Sequence, residues 1–79
     1  MSDALFTVSG QSESPTRLAV QARDFELIVD EPPSLHGDDE GPNPVEYILA
    51  GLAGCLNVMG HIIAKEMDFT IRSLKIDAA

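Results

Sequence analysis

Basic residues are scarce in this 79-residue chain: five Lys and Arg stand against thirteen Asp and Glu, a net charge of −8. Nucleic-acid backbones and anionic membrane surfaces are bound by clustered Lys and Arg. Arg17, Arg23, Lys65, Arg72 and Lys75 are scattered instead, so neither partner is expected. A single cysteine, Cys55, rules out an intrachain disulfide, and two distant histidines offer no metal-ligand spacing. There is no tryptophan and only one tyrosine. The opening MSDALFTVSG has neither a basic nor an apolar leader segment, so a cytoplasmic location is expected, which suits a lone thiol.

The hydrophobic fraction, 44 %, is ordinary for a folded protein. A chain this short buries only about 60 % of its unfolded surface, and small scaffolds need a disulfide, a metal or a partner. With the first two lacking, oligomerisation is the expected aid. One domain over residues 1–79 follows from the length.

Three β-prone stretches open the chain: Leu5 to Ser9, Thr16 to Ala22 and Phe25 to Asp30. Alternation puts Phe25, Leu27 and Val29 on one face, with Glu26, Ile28 and Asp30 on the other. The short gaps, Arg23-Asp24 among them, predict an antiparallel meander. Residues 31–44, EPPSLHGDDEGPNP, read as a long acidic loop, of the kind that is often functional or mobile.

A helix is predicted from Pro44 to about Met67. Asn43 suits the N-cap, Pro44 the first helical position, and Glu46 and Lys65 complement the helix dipole. Asp68-Phe69-Thr70 end it, and Ile71 to Asp77 alternates as a further strand. The apolar run Ile48 to Ala64 is interrupted only by Asn57 and His61 and falls just short of the roughly 20 residues of a membrane span. A buried central helix fits better. Ala50, Gly51, Ala53 and Gly54 crowd one turn. Each interior glycine costs about 1 kcal/mol against alanine, which points to a second helix packed closely there.

Cys55 shares a helical face with Ile48, Gly51, Leu52, Val58, Met59 and Ile62. A thiol buried on such a face is an inert core residue unless a cation reaches it. His61 lies about 120° away around the axis, and Glu46 sits nine residues back on the opposite side. An activating cation must come from Arg17 or Arg23, in this subunit or a partner. His36 and the Asn57–His61 pair are too weak a set for a metal.

Residues 25–58, FELIVDEPPSLHGDDEGPNPVEYILAGLAGCLNV, carry a G-x-N-P turn, a helix of small residues and a cysteine twelve positions after the asparagine. This combination resembles the OsmC/Ohr family, named for osmotically inducible protein C and organic hydroperoxide resistance protein. The resemblance implies an α+β fold in an intertwined homodimer, with N-terminal strands wrapping the partner and two long helices at the centre. In peroxidase members, a helix cysteine attacks an organic hydroperoxide and becomes a sulfenic acid. A second cysteine then resolves it, and an external dithiol restores the pair. An arginine and a glutamate organise the thiolate, and no cofactor is used.

Carried over, Cys55 falls on the peroxidatic position. Arg17, fifteen residues ahead of Pro32, matches the arginine, with Arg23 as runner-up. The glutamate should follow the Asn-Pro pair directly. Val45 stands there, and the acid is Glu46, one 100° helical step later. No resolving cysteine is present, so the chain reads as the N-terminal portion of the family fold. Any sulfenic acid would need an external thiol or a partner's Cys55. Three readings follow: a thiol peroxidase acting on organic hydroperoxides, a non-catalytic small-ligand-binding or structural dimer with Cys55 in its core, or an isolated fragment with no activity of its own.

Overall fold

The computed structural model describes residues 5–68 and 70–79. Three strands are followed by one long helix, an α+β arrangement. The chain divides into two compact units, Met1–Pro44 and Val45–Ala79.

In the first unit, β1 (Ser9–Ser12), β2 (Leu18–Ala22) and β3 (Phe25–Val29) form an antiparallel meander in that order. The first strand begins later than expected, since residues 5–8 are outside any strand. The register places Leu18 opposite Val29, Val20 opposite Leu27 and Ala22 opposite Phe25. Residues directly opposite share a face, so one side of the sheet is apolar, as the alternation in FELIV predicts. The other side pairs Ala19 with Ile28 and Gln21 with Glu26.

Both hairpin connections are built from side chains. Between β1 and β2, the Ser14 hydroxyl accepts from the amides of Thr16 (3.2 Å) and Arg17 (2.8 Å), while the Glu13 amide donates to the Arg17 carbonyl at 2.8 Å. Between β2 and β3, Arg23-Asp24 turn the chain with Arg23 at φ 53°, a left-handed conformation that costs a branched or long side chain energy. The Arg23 guanidinium offsets part of that cost by lying 5.1 Å from the Phe25 ring centroid.

Residues 31–42 form a closed loop, not an open excursion. A 3₁₀ turn spans Pro33–Leu35, and the Gly37 amide donates back to the Pro32 carbonyl at 3.1 Å. Left-handed positions fall on His36 (φ 69°) and Asp39 (φ 56°). The two glycines serve close approach instead. A Cβ on Gly37 would overlap the Glu31 carbonyl, and one on Gly41 would overlap the Ile28 carbonyl.

In the second unit, α1 runs Pro44–Glu66, as its sequence signals require, with Glu46 in the first turn and Lys65 in the last. It closes with Asp68 at φ 54°, whose amide donates to the Lys65 carbonyl at 3.1 Å. Phe69, part of the expected helix stop, lies outside the described residues, as do Met1 to Ala4. The further strand expected over Ile71–Asp77 does not form: residues 70–79 hold no ladder. Alternation alone makes a strand only where an edge is available to pair with it.

The helix also differs from expectation in its burial. Ala64 is the one buried apolar residue among those described. Ile48 remains 71 % exposed and Leu52, Leu56, Val58, Met59, Ile62 and Ile63 are about half exposed. By length and composition α1 is long and apolar enough to cross a membrane, a property that it shares with the core helices of soluble proteins.

Candidate functional site

Cys55 lies about halfway along α1 and is exposed. The expected burial of its face is therefore absent within this chain. Around it on the helix stand Gly51, Leu52, Val58 and Met59, so the thiol sits in an apolar strip. A Cβ on Gly51 or Gly54 would meet nothing within 4 Å. Both glycine positions therefore face open space.

Glu46 is exposed in the first turn of the same helix. Nine helical residues amount to two and a half turns, so Glu46 and Cys55 are about 13 Å apart along the axis and on opposite sides. The helix alone does not bring them together.

Arg17 belongs to the first unit, where it has two acidic partners. Its Nε donates to Glu13 Oε1 at 3.1 Å, and its Nη1 lies 3.8 Å from Asp38 Oδ2. The guanidinium thereby ties the β1–β2 turn to the acidic loop. Its side chain is 30 % exposed, and exposed pairs of this kind contribute under about 1 kcal/mol each. Arg23, the runner-up, stacks on Phe25 at the opposite hairpin.

The most highly structured polar centre was not anticipated. Asp30 is fully buried. Its Oδ1 accepts from the Glu31 amide at 2.8 Å, and its Oδ2 from the amides of Asp38 (3.3 Å) and Glu40 (3.2 Å). Burial pushes this carboxyl up. The Thr16 hydroxyl and the Glu31, Glu40 and Asp38 amides outweigh that and hold it below the ordinary aspartate value. The sequence did carry a signal: an Asp at a strand end, followed by a Pro- and Gly-punctuated loop, is a recurrent way to gather turn amides. Among the described residues no group of three His, Cys, Asp or Glu is placed to hold a metal ion.

The family model for OsmC-like proteins matches residues 37–79, more than half of the chain. The chain belongs to the OsmC-like family. The match begins inside the acidic loop and takes in all of α1, Cys55 included, so this OsmC-like chain carries its thiol within the recognised segment. The three strands lie outside that match, so Arg17 has no such support. No curated protein and no solved structure matches the chain.

Proposed function

We propose that this OsmC-like protein reduces organic hydroperoxides through Cys55, in a cytoplasmic homodimer serving oxidative stress defence. The observation that carries the proposal is the family match across the helix that bears the chain's one thiol. The Cys55 thiolate attacks the distal peroxide oxygen, the O–O bond breaks, and the leaving alkoxide takes a proton to become an alcohol. The sulfur is left as a sulfenic acid. An external thiol condenses with it and releases water. A second equivalent, or the other arm of a dithiol, frees Cys55 and leaves with the new disulfide. Arg17 is proposed to favour the thiolate, and Glu46 to orient its partners. The apolar side chains beside Cys55 suit an alkyl or aryl hydroperoxide better than hydrogen peroxide.

Intact mass after one equivalent of cumene hydroperoxide, with dimedone present, tests this. A single dimedone adduct on Cys55, reduced in an Arg17→Ala variant, is expected. No adduct under conditions that label a control thiol peroxidase would reject peroxide chemistry.

A second reading is favoured by the exposed apolar residues of α1. A second copy covering that face would bury Cys55, and the protein would then be a structural or small-ligand-binding dimer whose thiol is a core residue. Alkylation rate against pH separates the readings, because only an activated thiol reacts fast at neutral pH.

A further inference from the structure

β3 is an outer strand of the meander, and an outer strand offers unpaired backbone groups to other chains unless it is covered. Here the end of the acidic loop lies along it. The Asp30 amide donates to the Pro42 carbonyl at 3.1 Å. Gly41 approaches the Ile28 carbonyl so closely that a Cβ has no room. Ile28 and Asp30 alternate along the strand, so both contacts fall on the same outer edge.

What holds residues 41 and 42 there is not a strand ladder. The loop folds back on the Asp30 carboxylate, which collects the Asp38 and Glu40 amides eight and ten residues on, together with the Glu31 amide beside it. The Asp39 amide donates to the Glu31 carbonyl at 3.1 Å, and Arg17 reaches Asp38 from the neighbouring turn. Asp30 is the one fully buried polar side chain among the described residues, and the proposed chemistry does not use it.

We propose that residues 31–42 are an edge guard latched by Asp30. The carboxylate holds Gly41 and Pro42 over β3, and losing the latch uncovers that edge while the β2–β3 hairpin stays paired. Both oxygens are needed, because the Glu31 amide and the Asp38–Glu40 pair approach different atoms. Asp30→Ala removes both acceptor oxygens, so both sets of amides lose their partner.

Amide hydrogen exchange by NMR on the full 79-residue chain tests the proposal. In Asp30→Ala, the amides of Asp38, Glu40 and position 30 are expected to exchange about tenfold faster or more, with β2 amides unchanged. Unchanged protection at Asp38 and Glu40 would overturn the latch. Equal acceleration across β2 would overturn it too, since Asp30 would then hold the whole unit together. Should Asp30→Ala fail to fold, Gly41→Ala asks the same question from the other side. Its Cβ displaces residue 41 from Ile28, so the position-30 amide should lose protection selectively. Retained protection there would count against an edge guard.

Discussion

Replacing Gly51 and Gly54 together with alanine gives opposite results according to what covers α1. Within the chain, neither added Cβ meets an atom within 4 Å. Helix propensity alone then predicts a gain of about 1 kcal/mol per site, or about 2 kcal/mol for the pair. For a chain of this size, that raises the melting temperature by about 8–16 °C. A second helix packed on this face reverses the sign. Each Cβ then overlaps a neighbouring backbone at about 1–3 kcal/mol, and a symmetric pair suffers four such overlaps, about 4–12 kcal/mol per dimer. A micromolar dimer is held by only about 8 kcal/mol, so association should be largely lost. Sedimentation velocity and thermal unfolding by circular dichroism at two concentrations check this. Gly60→Ala is the control: it lies nine residues from Gly51, on the other side of the helix, with Leu74 Cδ2 at an ordinary 3.6 Å from the new Cβ. The proposed dimer requires the double variant to dissociate while Gly60→Ala gains stability. A double variant that melts higher and associates like the parent would refute close helix packing at the small residues.

The remaining predictions concern the first unit and the arginines. Acid should destabilise the loop through Asp30. Its folded value lies below the ordinary aspartate value of about 3.9, so its contribution is complete above that value and is lost as pH falls through the folded value. Exchange at the Asp38 and Glu40 amides should therefore be insensitive to Asp30 between pH 5 and 7, after correction for intrinsic rates, and rise in excess of them only below about pH 4. An extra rise between pH 5 and 6 would contradict that assignment. Gly41→Ala should destabilise the first unit by about 1–3 kcal/mol, because a backbone carbonyl cannot rotate away; denaturant titration measures it. Arg23→Gly should be close to neutral in the same assay, since relief of the left-handed strain, about 1 kcal/mol, is offset by loss of the contact with Phe25. Arg17→Ala, which removes both ion pairs, should lower stability by under about 2 kcal/mol, an effect that salt reduces.

Local chemistry was legible wherever one segment decides its own conformation. Asn43-Pro44, the acid at Glu46 and the apolar run gave α1 within a residue or two, because caps and propensity act within a turn or two of helix. The apolar alternation of FELIV gave the faces of β3, since period two admits no other placement. IRSLKID shows the same alternation and forms no strand, because a strand's existence depends on a partner edge and not on its own pattern. Alternation places Asp30 on a strand face with Glu26 and Ile28 and says no more of it. Its role comes from amides eight and ten residues away, which periodicity cannot locate. The apolar face of Cys55 predicts its burial, yet the face says only what the helix would bury given something to bury it against.

That last distinction bears directly on the chemistry of the thiol. An exposed Cys55 in an apolar strip is reachable by a peroxide, but the helix's one lysine, Lys65, lies ten residues on, about 15 Å along the axis, and Glu46 faces the other way. Activation therefore requires a positive charge delivered from outside α1. Arg17 already shares its charge with two carboxylates, Glu13 and Asp38. If Arg17 activates the thiol, freeing it by Glu13→Gln and Asp38→Asn should speed alkylation of Cys55 at neutral pH, and Arg17→Ala should slow it. If Arg17 only joins the turn to the loop, all three variants should shift stability slightly and leave the alkylation profile alone. The two roles thus differ in a quantity that structural loosening does not mimic: the pH dependence of the thiol's reactivity, not its rate at one pH.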